Sequence, residues 1–414
     1  MQNQRIFPGW WVVAAAFLAL FVSFGAMYAF AAFFRELESE FAASRADISL
    51  IFSLSGFLYF SIGAVTGSLA DRIGPRTIVA TGMVLVAAGL FLASRAETLT
   101  GVYLTYGLGV GLGVGFVYVP SLGAVQRWFE RKRGLASGFA VAGIGAGTLT
   151  VPPLAALLID QFGWRGAYAA LAVAALVLGL MAALLLEHSP ERRGLHRDGI
   201  VPEAGGGGTS VAAGATLRQA LRSRPFWLLY GAGIATSFGI FIPFVHLPAF
   251  ARDLGLSESF GVILVGLIGV GSVVGRFALG GSADRIGRRR GTALMFTGMG
   301  TMLLLWLWAS APAALVAFAL LFGTFYGGFV ALIPALTADY FGGRAVSGII
   351  GFLYTSFAFG TLLGPTLAGL AFDLSGSYTL PIAAGALANL LALCCVLLSA
   401  DPARFRASLS AQPG

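Results

Sequence analysis

The chain has 414 residues, of which 57% are hydrophobic and only 11% charged, with a formal net charge of +8. Soluble globular chains carry about a quarter charged residues, so that class is excluded and a polytopic membrane protein is indicated. The excess of basic residues then describes topology and contact with anionic lipid, and no nucleic-acid partner is expected.

Apolar stretches of about 20 residues recur twelve times, each long enough to cross a hydrocarbon core of about 30 Å. They are expected at residues 10–34, 48–70, 76–94, 101–125, 134–159, 164–186, 226–250, 259–281, 291–310, 313–338, 346–371 and 378–399. The first apolar run exceeds the length of a secretory h-region and reads as an uncleaved span. With the N-terminus inside, twenty of the 26 basic residues fall in cytoplasmic segments, five outside and one within the membrane. This is the orientation that the positive-inside rule selects, with both termini cytoplasmic.

In chain order, span one carries Phe24 and Tyr28, an apolar wall residue and a polar-tipped one. Span four holds Gly107, Gly109, Gly111, Gly113 and Gly115, which permit close helix approach, together with Tyr118. Residues 187–224 contain Gly205 to Gly208 and no apolar span, and read as a flexible cytoplasmic linker between an N-terminal unit, 1–186, and a C-terminal unit, 225–414. Within the linker, Thr216 is placed to cap a short basic helix before Pro225. Span seven carries Phe241 and His246, with Asp253 near its outer end, and the last two are titratable.

Span eight holds the one basic residue expected inside the membrane, Arg276. A guanidinium there is costly on any scale, at about 2.5 to 3.5 kcal/mol by insertion, and marks a functional site or a paired charge. Gly269, Ser272 and Gly280 share its helical face, while Ile263, Leu267, Val270 and Val274 cover the opposite face. Arg276 therefore points at protein or a water-filled cavity, the alternative being a side chain that snorkels to the headgroups. Spans ten to twelve supply Tyr326, Tyr354, Phe359 and Asn389, further candidates to line a site, and the adjacent Cys394 and Cys395 suit packing better than a disulfide or a metal.

One gapless offset of 213 residues superposes the two halves. Gly67-Ser-Leu-Ala-Asp71-Arg72-Ile-Gly74 aligns with Gly280-Gly-Ser-Ala-Asp284-Arg285-Ile-Gly287, and Gly147-Thr-Leu-Thr-Val-Pro152 with Gly360-Thr-Leu-Leu-Gly-Pro365. Asp160 and Asp373 obey the same offset. Parallel repeats with a site at their interface near the midplane are a recurrent plan among secondary transporters.

The Gly-x-x-Ala-Asp-Arg-x-Gly loops after spans two and eight resemble the signature loop of the major facilitator superfamily, a likeness that spans essentially the whole chain. Within it, Trp128-Phe129-Glu-Arg131-Lys132-Arg133-Gly-Leu135-Ala136 and its continuation to Gly143 are similar to the fifth-span signature of monocarboxylate transporters. Gly9-Trp10-Trp11 partly resembles their other signature, without its acidic residue. The resemblance implies an all-α membrane protein with twelve transmembrane helices in two six-helix bundles. It implies a cytoplasmic gate made by Asp71, Arg72, Gly74 and Arg76 with Asp284, Arg285, Gly287 and Arg288. It also implies that span four lines the cavity, which singles out Tyr118. Monocarboxylate transporters pair the eighth-span Arg with an Asp one turn earlier, where this chain has Ser272.

A guanidinium suits a carboxylate through two parallel charge-assisted bonds. The related oxalate/formate exchangers carry a second cation in span eleven, and residues 346–371 contain no Lys or Arg. The expected function is secondary transport of a small monocarboxylate, lactate- or pyruvate-like, coupled to a proton by alternating access. Its expected contacts are Arg276, Tyr118, Tyr28, Ser272, Tyr326 and Asn389, and its proton-coupling candidates are Asp253 and His246. The alternatives are organic-anion exchange and a substrate-sensing receptor without turnover. No enzyme, cofactor or metal site is expected, since there is no nucleophile–base constellation and His188, His196 and His246 form no cluster. The carrier is expected to act as a monomer in the inner (plasma) membrane.

Overall fold

The computed structural model describes residues 7–129, 132–199, 214–342 and 346–410. Its N-terminal half begins with α1 (Gly9–Tyr28), α2 (Phe30–Glu40), α3 (Arg45–Ile73) and α4 (Pro75–Ala93). It continues with α5 (Leu99–Val102), a π-helical stretch Tyr103–Val110, α6 (Gly111–Trp128) and α7 (Arg133–Leu185). After the short α8 (Leu217–Leu221), the C-terminal half comprises α9 (Arg224–Asp253), α10 (Glu258–Ile286), α11 (Arg288–Trp306), α12 (Pro312–Phe341), α13 (Val346–Ser375), α14 (Thr379–Leu398) and α15 (Pro402–Ser410).

Ten of the helices, or joined runs of them, are long and apolar enough to cross a membrane. One, Leu135–Leu185, holds two spans, because Gly163 at φ 68° breaks the helix midway. The nineteen-residue α11, whose first turn is Arg288–Arg290, completes the twelve. α1 and α2 form one span divided only at Ala29, and the span-four segments run on from Leu99 to Trp128.

The offset of 213 extends to the helix ends. It carries α3 onto α10, α4 onto α11, Leu99–Trp128 onto α12, and the ends of α2 and α7 onto those of α9 and α14. Ser44 and Ser257 are equivalent N-caps, each accepting from the backbone N–H three residues on. Gly74 and Gly287 have φ of 99° and 89°, and Gly163 and Gly376 have 68° and 67°. Residues with a Cβ rarely enter this region, which is why both signature loops end in glycine.

Small residues set the helix spacing. A Cβ on Gly111 would lie 2.6 Å from the Ser55 backbone, and one on Gly275 only 1.8 Å from the Thr324 carbonyl, so neither position admits a side chain. The sequence did not foretell the π-helical stretch, which lies where Gly109 meets Gly89 across α4. Thr216 caps α8 through a reciprocal pair with Gln219, as expected, and the Ala215 N–H donates to the Phe341 carbonyl. Gly205 to Gly208 lie outside the described residues.

Between halves, α3 packs on α13 and α7 on α10, pairs that the repeat interchanges. The Trp10 ring meets Phe129 edge-on at 5.1 Å, so the two short transporter-like motifs touch one another. Trp128 donates to the Glu187 carbonyl, which holds the start of the linker against the fifth-span motif.

Candidate functional site

A cavity lies between the halves, walled by α1, α3, α6, α7, α9, α10, α12 and α13. It offers about 50 Å³ to the centres of water-sized molecules. With about 10 to 15 Å³ needed per water on this measure, it accommodates a solute of a few heavy atoms. Among the described residues fifteen line it, of which ten are aromatic and only Arg276 is charged.

Arg276 is 7% exposed, which excludes the snorkelling alternative. Its Nη1 donates to the Val141 carbonyl of α7 at 2.6 Å, so the guanidinium is held across the bundle interface. Its Nε is buried without a partner, as is the Ser272 hydroxyl one turn away. Among the described residues no carboxylate pairs with Arg276. Behind it, Ile263 and Val274 are exposed on the outward face, as the helical pattern requires.

Five tyrosines face the same space: Tyr28, Tyr59, Tyr118, Tyr326 and Tyr354. Tyr118 meets Phe24 and Tyr59 edge-on at 5.7 and 5.6 Å, which fixes the rings around the cavity. Tyr28 stacks on Phe244 of the other half at 4.7 Å. Four of these hydroxyls, on Tyr28, Tyr118, Tyr326 and Tyr354, lie within electrostatic reach of Arg276. A cation ringed by phenols in an aromatic wall can bind one anionic group and donate to neighbouring oxygens.

Phe24 and Phe241 form part of the wall, as expected, whereas Phe359 is half exposed on the outside of α13 and Phe357 takes the inner position. Ser272 is buried beside the site but is not among the residues that line it. Asn389 is placed elsewhere: it accepts from Thr236 at 2.9 Å and donates to the Gly385 carbonyl at 3.0 Å, between α14 and α9. Its helix is peripheral, so the amide serves helix packing. Tyr59 and Phe60 were missed by sequence reasoning, yet the offset of 213 places Tyr59 opposite Ser272. That register was the signal that would have found it.

The two titratable candidates also sit away from Arg276. Asp253 accepts both Arg45 guanidinium nitrogens, at 2.6 and 2.7 Å, at the end of the molecule opposite the signature loops. Arg252 pairs with Glu38 at 2.7 Å, Arg35 with Glu258, and the Asp373 carboxylate accepts the Arg45 and Ala46 N–H groups at the start of α3. Every one of these links joins the two halves. His246 is fully buried just beneath them.

At the signature-loop end, the side chains of Asp71, Asp284 and Arg285 lie outside the described residues, and Arg72 is exposed. Arg76 donates to the Leu186 carbonyl and Arg288 pairs with Asp339, each within its own half. The described ion pairs that join the halves therefore all lie at the opposite end, which the sequence had not marked as a gate.

The major facilitator superfamily model matches residues 16–290 and 263–413. The chain is 35% identical over 376 residues to monocarboxylate transporter 13 of Bos taurus, covering 90% of this chain and 84% of that one. It is 31% identical over 381 residues to monocarboxylate transporter 11 of Homo sapiens, covering 90% and 78%. Monocarboxylate transporter 2 of Rattus norvegicus is 28% identical over 385 residues, covering 89% and 78%. With twelve spans in two repeated halves and a single cation in the cavity between them, the chain belongs to the monocarboxylate transporter family of the major facilitator superfamily, whose members are transporters and not enzymes.

Proposed function

We propose that this protein carries a small monocarboxylate, lactate- or pyruvate-like, across the membrane together with a proton, by alternating access. The observation that carries the reading is Arg276, the only charge on the cavity wall and one with no carboxylate partner among the described residues. An unpaired buried cation calls for an anion, and a substrate carboxylate supplies it on the side-on edge left free by the Val141 contact. The phenols, above all Tyr118, Tyr28 and Tyr326, then receive the hydroxyl or oxo group of the substrate. The small volume of the cavity favours a three-carbon acid over a long-chain one.

The units 1–186 and 225–414 rock about the linker as two bodies, with the signature loops and both termini on the cytoplasmic side of the plasma membrane and the Arg45–Asp253 network outside. A cytoplasmic gate of Asp71 and Arg72 with Asp284 and Arg285 alternates with that outer network. Of the two proton candidates, Asp253 is committed to Arg45, which leaves His246 as the group that exchanges a proton with the outside. The carrier acts as a monomer.

Uptake of labelled lactate into proteoliposomes, with and without an inward proton gradient, tests the function. Uptake is expected to accelerate with the gradient. Uptake indifferent to the gradient removes the coupling, and absence of any monocarboxylate uptake or counterflow removes the substrate assignment.

A further inference from the structure

We infer that His246 is a proton-sensitive latch on the outer gate, which closes only around the neutral ring. The inference rests on the alternating-access reading and deepens it by locating where a proton acts.

The relay that holds the ring has a fixed polarity. Arg45 can only donate, and its Nη1 lies 2.8 Å from the Tyr378 hydroxyl oxygen. The Tyr378 hydrogen is thereby directed to Nδ1 of His246, at 3.1 Å, which must accept it. Nε2 then carries the single ring hydrogen and donates to the Pro365 carbonyl at 2.8 Å. The Ser49 hydroxyl donates to the Arg45 carbonyl at 2.5 Å, and its oxygen faces Nε2 at 3.2 Å. Every hydrogen in this chain has an acceptor, provided that Nδ1 is bare.

A second ring proton would meet the Tyr378 hydrogen head-on, or turn that hydrogen into a buried site with no acceptor. It would also add a charge beside Arg45. The charged and titratable groups around the ring are Glu38 from α2, Arg45 from α3, Asp253 of α9 itself, Asp373 from α13, and Tyr378 ahead of α14. The three carboxylates are all engaged: Asp253 and Glu38 by Arg45, and Asp373 by the N–H groups of Arg45 and Ala46. None is hydrogen-bonded to the ring.

The contacts to Ser49 and Arg45 cross from one half to the other, so they exist only while the outer side is shut. When that side opens, His246 loses them and meets water, where the ring takes a proton freely. The closed state thus binds fewer protons than the open state, and external acid shifts the population towards outward-open. A buried donor without an acceptor shifts such an equilibrium by about fivefold or more.

The test uses spin labels at Ser39→Cys and Ser375→Cys, exposed positions at the outer ends of α2 and α13, with Cys394→Ala and Cys395→Ala in the full-length chain. Electron–electron distance distributions are recorded in nanodiscs from pH 8 to pH 5 without substrate. The long-distance population is expected to grow about fivefold or more on acidification. In His246→Gln, whose amide can donate to Pro365 and accept from Tyr378, the distribution is expected to be flat with pH. In Tyr378→Phe, which removes the opposing hydrogen, the midpoint is expected to move to higher pH. A pH-independent distribution with His246 present, or an unchanged response in His246→Gln, overturns the latch. If His246→Gln does not insert, an unmoved midpoint in Tyr378→Phe overturns it instead. Lactate counterflow, measured separately, decides the transport reading whatever the distances show.

Discussion

Replacing Arg276 by Lys keeps the charge and removes the fork. The guanidinium sits 7% exposed on the wall of the aromatic cavity, with Nη1 bonded to Val141 and the Nε edge without a protein partner. If that edge makes two charge-assisted bonds to a carboxylate, Lys retains one of them, and the loss is about 1.5 to 3 kcal/mol. That corresponds to roughly a ten- to hundredfold rise in KM for lactate counterflow, with expression and thermal stability close to the parent. Arg276→Met should do the opposite to the two readouts. Transport should vanish, while stability in detergent rises, because an unpaired buried cation that costs about 2.5 to 3.5 kcal/mol has been removed. Counterflow in purified proteoliposomes, beside a thermal-unfolding series on the same preparations, separates the two effects. A Lys variant with unchanged KM, or a Met variant that still transports, would refute the assignment of the carboxylate to Arg276.

Asn389→Leu should lower stability by about 1 kcal/mol through the orphaned Thr236 hydroxyl and leave KM unchanged, which thermal unfolding and counterflow check together. Tyr59→Phe should alter the ranking of pyruvate against lactate in a competition assay with little effect on stability, since its phenol is one of five facing the cavity. Arg45→Gln should weaken the closed outer side by about 2 kcal/mol, after allowance for the partial exposure of Asp253 and Glu38, and shift the spin-label distances towards outward-open at every pH. Gly275→Val should not yield folded protein, judged by size-exclusion profile, because its Cβ would enter the Thr324 carbonyl.

The parts of this molecule that could be read in advance are those governed by local chemistry. Apolar length gave the spans, the Gly at each signature loop required a left-handed backbone, and Ser272 and Gly269 beside Arg276 fixed the side on which that cation points. What could not be read is how far each span lies from the midplane axis. Asn389 and Tyr354 are both polar-tipped residues in apolar helices, yet α13 lines the cavity and α14 packs behind α9. Periodicity describes a helix face without saying which neighbour it meets. The outer network was hidden for a related reason: Arg45, Asp253 and Asp373 look like loop-end residues in sequence, and only the fold brings them together.

The repeat also explains where function resides. A duplicated scaffold supplies two equivalent positions for each residue, and the backbone keeps them equivalent down to the helix ends. Structural residues obey the offset, as Gly74 and Gly287 or Ser44 and Ser257 do. The candidate functional residues break it: Arg276 stands opposite Gly63, Ser272 opposite Tyr59, His246 opposite Phe33, and Arg45 opposite Glu258. The departures have a physical basis. One cavity on the axis needs one cation, since two would repel in a low-dielectric space and demand two anionic groups from the substrate. An ionic seal across that axis needs opposite charges on equivalent positions, and Arg45 with Glu258 provides them: Arg45 meets Asp253 of the other half, and Glu258 meets Arg35. Symmetry builds the two rocking bodies, and its local violations give them a single site and a seal that can open.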